Sequence, residues 1–253
     1  MDERTRNRIV EWAETYNDRK YFTEDPIAFP RHFAEDYAAG QCVLADVEIA
    51  AVIAAHLAWG RRAMIVRDCG RAFDEMGWKP YDYVMNGEYR DEDASLHRTV
   101  KWSEFAGICA RLRKAYEERA SAAICSGADT PGTGGKAASP SLEGLSDNDF
   151  RVRIYGQKSD PKAPNKKISM MRRWLVRDDG KVDLGVWRHT DKRSLLIPLD
   201  VHVYDEATAL GLTARKSKDI VTAREITDSF REIFPDDPCL GDFALFGYGV
   251  THK

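Results

Sequence analysis

Apolar positions recur along most of the chain at the three-to-four residue spacing of an α-helix. Near the N-terminus Ile9, Trp12, Ala13 and Tyr16 fall on one stripe. The run from Val47 to Trp59 carries Ile49, Val52, Ile53 and Leu57, is apolar nearly all round and has Gly60 placed to stop it, which predicts a central buried helix. Asp46 stands where its N-cap belongs. Trp102 to Ala123 reads as a long amphipathic helix with Phe105, Ile108, Cys109, Leu112 and Tyr116 on its apolar stripe. Thr222 and Glu225 have the spacing of a capping box ahead of Ile226, Phe230 and Ile233, and Phe243 to Phe246 predict one more short helix. Strand-type alternation is nearly absent, so the expected fold class is all-α. Residues 126–148, rich in Gly, Ser, Pro and Ala, read as a flexible loop or linker dividing the 253 residues into two unequal parts.

Composition narrows the picture. Lys and Arg number 38 against 41 Asp and Glu, so no global basic excess announces a nucleic acid, and any such signal must be local. The N-terminal residues lack the apolar core of a signal peptide and no apolar stretch is long enough to span a bilayer, which predicts a soluble cytoplasmic protein with no membrane partner. The five cysteines (Cys42, Cys69, Cys109, Cys125 and Cys239) contain no C-x-x-C pair and the six histidines no paired spacing, so neither a metal site nor a cofactor is expected.

A local signal exists. Between Arg151 and Arg177 nine Lys and Arg stand against one acid, Asp160, a concentration suited to tracking phosphates, with a solvated surface as the bland alternative. Within a helix opening near Lys166, Ile168, Met171 and Leu175 form the buried stripe, while Lys166, Met170, Arg173 and Arg177 share the opposite face. Lys166 thus stands among cations at a helix start, a setting that works against the protonated amine and is one route to a nucleophilic lysine. Asp200 follows the apolar run Leu195 to Leu199 and precedes a helical pattern through Val203, Tyr204, Ala207 and Leu210. It reads either as an N-cap or as a carboxylate carried into a partly desolvated pocket.

The stretch IPLDVHV from Ile197 to Val203, continuing to Leu212, resembles the segment of helix-hairpin-helix DNA glycosylases that places the essential aspartate. Upstream, KKISMMRRWL from Lys166 to Leu175 resembles the helix that opens with the catalytic lysine in bifunctional members. The similarity is nearest to the archaeal-type 8-oxoguanine glycosylase branch and an uncharacterised bacterial family related to it. It covers the chain from about Asp46 onward, with its specific motifs confined to residues 166–212. Two departures stand out: the usual L-P-G-x-G hairpin is replaced by residues 159–165, and the C-terminal four-cysteine iron-sulfur loop of some relatives is missing, since only Cys239 lies there.

The resemblance implies a single unit over residues 1–253 made of two helical subdomains, with an atypical hairpin. It implies a base-excision repair enzyme, a DNA glycosylase and AP lyase acting as a monomer on double-stranded DNA containing a damaged base, with 8-oxoguanine as first-choice substrate. Lys166 would form the Schiff base, with Lys167 as its rival in register, and Asp200 would assist. The base pocket would draw on His56, Trp59, Met170 and Phe246, and DNA contacts on Arg151, Arg153, Lys162, Lys167, Arg173 and Arg177. His202 is expected to support the aspartate's helix, and Asp183, Trp187 and His189 to line a pocket wall at most. The alternatives are a non-catalytic nucleic-acid-binding helical module, which the missing hairpin favours, and a helical protein docking an acidic partner.

Overall fold

The all-α expectation holds: a computed structural model describes residues 1–125 and 140–252, and among these are 11 α-helices and a single two-stranded hairpin. The chain divides into two compact units, the first comprising Met1–Thr23 with Asp160–Lys253 and the second Glu24–Ser159. The boundaries therefore fall at 23/24 and 159/160, and the Gly/Ser-rich segment lies inside one unit instead of between two. Of that segment, residues 126–139 lie outside the described residues. Residues 140–148 pack against the second unit: Leu142 is buried, and Ser146 caps a short helical turn by accepting from the Asp149 N–H at 3.1 Å.

In the second unit, α1 to α11 being numbered along the whole chain, α2 (Ala28–Ala38), α4 (Arg62–Glu75), α5 (Pro80–Asn86) and α6 (Trp102–Cys125) surround α3 (Leu44–Leu57). Every residue of α3 from Ala45 to Leu57 is buried, as an all-round apolar sequence requires. Its two acids are satisfied from several directions. Asp46 is not the N-cap but the third helical residue, because its Oδ2 accepts from the Val43 N–H at 3.0 Å and its Oδ1 from the Tyr81 N–H at 2.9 Å. Glu48 accepts from the Tyr116 hydroxyl at 2.9 Å and from the Leu142 N–H at 3.0 Å, tying the 140–146 segment to the core. The hairpin pairs β1 (Ser95–His97) with β2 (Val100–Lys101), and the helical turn α7 (Asp147–Asp149) runs on into a wider turn over Phe150–Ile154.

In the first unit, α1 (Glu3–Tyr16) packs on α11 (Leu240–Thr251), and α9 (Val201–Ala209) and α10 (Ile220–Arg231) complete a core around Ile9, Ile197, Val203, Ile226, Phe230 and Leu245. The N-cap of α10 is Asp219, whose Oδ1 accepts from the Thr222 N–H at 3.0 Å. The capping box expected at Thr222 is thus displaced by three residues, since Thr222 is already inside the helix. Helix α8 (Lys166–Val176) buries Ile168, Met171 and Leu175 as the spacing predicts, and Trp174 and Val176 as well. After it the chain doubles back, with Leu184 N–H donating to Trp174 O and Trp187 N–H to Leu175 O, both at 2.8 Å. That return brings Asp183 beside the helix it has just left.

Close approach of α1 and α11 depends on Gly247, where a Cβ would overlap the Tyr16 ring. Gly247→Ala is expected to cost about 1–3 kcal/mol of stability through overpacking, measured by denaturant unfolding against the wild type. Among the described residues no helix is long and apolar enough to cross a membrane.

Candidate active site

Asp200 sits at the end of a buried apolar run, in which Leu195, Ile197 and Leu199 all face the core, and at the head of α9. Its two oxygens have different employment. Oδ1 accepts from the Val203 N–H at 2.9 Å, which is the N-cap bond. Oδ2 lies 3.6 Å from Lys166 Nζ. The capping reading and the pocket reading are therefore both met, one oxygen each. The Asp200 side chain is 11% exposed and that of Lys166 36%, so the carboxylate is nearly enclosed while the amine remains reachable from solvent.

Lys166 opens α8, and the residue before it, Asn165, has a left-handed backbone with φ of 48°. Asparagine is among the few residues that tolerate that region, and the turn it makes aims the first residue of α8 back toward α9. Met170, one turn further on, is half-buried. Phe246 on α11 is half-buried and meets the His202 ring edge to face at 6.3 Å. His202 Nδ1 is buried without a hydrogen-bond partner among the described residues.

Arg173 and Arg177, expected on the exposed face of the same helix, are instead 5% and 0% exposed. Their guanidinium groups enter a buried ionic network inside the first unit. Arg173 donates through Nη1 to Asp242 and through Nε to Asp183 at 3.3 Å. Arg177 donates through Nε to Asp237 at 2.8 Å and through Nη1 to Asp179 and Asp183, each at 2.8 Å. The Phe243 ring lies 4.3 Å from one guanidinium carbon and 4.7 Å from the other. Both arginines therefore leave the DNA-facing set: carboxylates from the segment after α8 and from α11 cover the face that periodicity assigned to solvent. The cationic neighbourhood expected for Lys166 is replaced by a carboxylate against its amine.

Four carboxylates share two guanidinium groups in this network. Burial pushes the Asp242 carboxyl up to about 6, against the pull of Arg173 and with a further push from Asp200 nearby. Burial likewise raises Asp183 and Asp237 despite their arginine partners. Burial works against the charge of Arg173, but Asp183 and Asp242 outweigh it and hold the guanidinium firmly protonated. Asp183, expected at most in a pocket wall, instead joins this network. Asp179, Asp237 and Asp242 went unread in the sequence, although Asp242 carried a signal: a lone carboxylate in the apolar run Leu240 to Phe246 needs a buried cation.

The remaining expected residues are dispersed. Lys162 is exposed and Lys167 half-buried in the first unit. Arg151 and Arg153 belong to the second unit, where Arg151 Nε donates to Lys158 O at 2.7 Å and Arg153 pairs with Glu118 and Asp149. His56 and Trp59 also belong there. His56 is buried, hydrogen-bonded through Nε2 to Glu104 at 2.8 Å and stacked on Tyr155, so its ring serves internal packing. Trp59 is half-buried, with its carbonyl bonded to His97 at 2.9 Å and the Arg98 guanidinium 4.6 Å from its ring. The structure thus brings Lys166 and Asp200 together, with Met170 one turn along the same helix. Among the described residues no group of three or more His, Cys, Asp or Glu could hold a metal ion.

No curated protein and no solved structure matches the chain. The family described as Protein of unknown function (DUF2400) matches residues 25–251, a span that contains α8, α9 and the whole ionic network. By that match the chain belongs to the DUF2400 family.

Proposed function

We propose that this protein is a DNA base-excision glycosylase with associated β-lyase activity, acting through Lys166 and Asp200 on an oxidised base, with 8-oxoguanine as the first substrate to test. The observation that carries the reading is the 3.6 Å approach of Lys166 Nζ to Asp200 Oδ2, made by two helix starts 34 positions apart in sequence. An enclosed carboxylate beside a reachable amine is the pairing that amine-based glycosyl transfer needs. The resemblance of residues 166–212 to helix-hairpin-helix DNA glycosylases supplies the substrate class.

In this mechanism the target nucleotide is flipped out of the duplex so that its C1′ meets the amine. Asp200 takes a proton from Lys166, and the neutral amine attacks C1′. The Nζ–C1′ bond forms as the C1′–base bond breaks, and the base leaves with the bonding electrons and takes up the proton that Asp200 carries, which returns Asp200 to a carboxylate. Asp200 faces the positive charge that develops at C1′. A proton passes from Nζ to the ring oxygen as the sugar ring opens, giving an iminium between Nζ and C1′, and loss of a C2′ proton to the Asp200 carboxylate expels the 3′ phosphate.

The test is to incubate the protein with a duplex carrying one 8-oxoguanine opposite cytosine, with borohydride present to reduce the iminium. A covalent protein–DNA band is expected, lost in Lys166→Gln and kept in Lys167→Gln. Base release revealed only by alkali, with no trapped band, would replace the amine step by attack of water assisted by Asp200. Full activity of a Lys166→Gln/Asp200→Asn double variant would overturn the reading altogether.

A further inference from the structure

Residues 160–165, the greater part of the segment that stands where the resembled enzymes have their hairpin, are fastened to a second loop, 213–219. The Ile220 N–H donates to Lys162 O at 3.0 Å, joining the first loop to the foot of α10. The Tyr204 hydroxyl donates to Arg215 O at 2.8 Å, tying the second loop to α9 one turn after Asp200. One loop leads directly into Lys166 and the other is bolted to the helix that Asp200 caps. The two loops therefore share the supports of the Lys166–Asp200 pair.

Their charges are arranged asymmetrically. The acids are consumed inside the loops: Asp160 accepts from the Lys162 N–H at 2.9 Å, and Asp219 caps α10 while pairing with Arg215 at 2.9 Å. Lys162, Lys216 and Lys218 are exposed, and none of them forms an ion pair among the described residues. The Lys218 ammonium lies 4.6 Å from the centroid of the Tyr204 ring, a cation–π contact that places the charge beside α9 while the residue stays exposed. Several exposed guanidinium groups elsewhere on the surface, those of Arg67, Arg188 and Arg193, sit against carboxylates. Ammonium groups without counter-ions, fixed on joined loops at the rim of a site, are suited to a repeating polyanion.

We propose that loops 160–165 and 213–219 form a phosphate clamp, in which Lys162, Lys216 and Lys218 each neutralise a backbone phosphate of duplex DNA beside the Lys166–Asp200 pair. The clamp rests on the DNA-glycosylase reading for its ligand.

The experiment measures binding of a fluorescent undamaged duplex by anisotropy over a range of NaCl concentrations. A Lys162→Gln/Lys216→Gln/Lys218→Gln variant is compared with a Lys181→Gln/Lys192→Gln control, which removes lysines from the same unit outside the clamp. The slope of log affinity against log salt is expected to become shallower by about 0.9 per clamp lysine, about 2.7 in all, with little change in the control. A wild-type slope in the triple variant, or an equal effect per lysine in the control, overturns the clamp. Trapping by the wild type together with an unaltered slope in the triple variant would remove the clamp and leave the glycosylase reading standing. The expected slope change with no trapped band and no base release on any lesion would leave the clamp standing and remove the enzyme. Absence of duplex binding by the wild type at low salt overturns both.

Discussion

Asp200→Asn is expected to slow base release by about 10²–10⁴-fold while leaving α9 capped. The amide oxygen of asparagine can keep the bond that Oδ1 makes with the Val203 N–H, and Asn and Asp are about equally good N-caps. What disappears is the second oxygen, 3.6 Å from Lys166, with its charge and its capacity to take a proton. The lost ion pair itself contributes at most about 1 kcal/mol, because Lys166 is more than a third exposed. Single-turnover base release and thermal unfolding, measured on the same preparation, separate the two roles. A large fall in rate with an unchanged unfolding temperature places Asp200 in the chemistry, whereas an unchanged rate would reduce it to a cap. Asp200→Ala is the contrast, removing the cap as well and costing about 1 kcal/mol of stability in addition.

Arg173→Leu is expected to destabilise the protein by about 3–5 kcal/mol near neutral pH. The leucine restores some apolar contact with Phe243, but Asp242 is left without its guanidinium partner and Asp183 with Arg177 alone. The loss should depend on pH in a definite direction. Asp242 has a folded-state value of about 6, above the ordinary 3.8, so the native protein holds that proton more tightly than the unfolded chain does. Its contribution to stability is therefore fully present below the ordinary value and is lost as pH rises through about 6. Without Arg173 the carboxyl rises further, and the penalty goes on growing above that point. The raised Asp183 and Asp237 act in the same sense, whereas Asp179, which is lowered, acts only below the ordinary carboxylate range. Urea unfolding at a series of pH values from about 5 to about 8 should show the variant's deficit widening as pH rises. A deficit constant over that range would mean that the network loses packing and not charge compensation.

The helices were legible because their signal is local. The apolar repeat of α3, α8 and α10 survives whatever packs around them, and so does the carboxylate at the head of α9. The start of α3 was missed by three residues because Asp46 is used by Val43 and by Tyr81, and the second of these partners is visible only once α5 is in place. Arg173 and Arg177 do lie along one face of α8, as their spacing says. That the face is covered depends on Asp183, Asp237 and Asp242, which arrive from up to 69 positions away. Charge counting reads such arginines as surface, since a buried guanidinium and a solvated one look alike until their partners are located. The joins between the two units were not read from the sequence. Composition marks the Gly/Ser-rich segment most strongly, and the shorter polar stretches around 23/24 and 156–165, where the units join, stand out less beside it.

The first unit is closed by helices from opposite ends of the sequence, α1 and α11, while the second is continuous from Glu24 to Ser159. During synthesis the second unit has all of its residues before any part of α8 to α11 has been made. Ile9 and Ala13, which end in the core beside Leu245, must wait through more than two hundred residues of elongation for the surface that covers them. The unit that carries Lys166 and Asp200 is thus the later of the two to close on a ribosome, and its first helix spends that interval as an unpartnered amphipathic segment that a nascent-chain chaperone could hold.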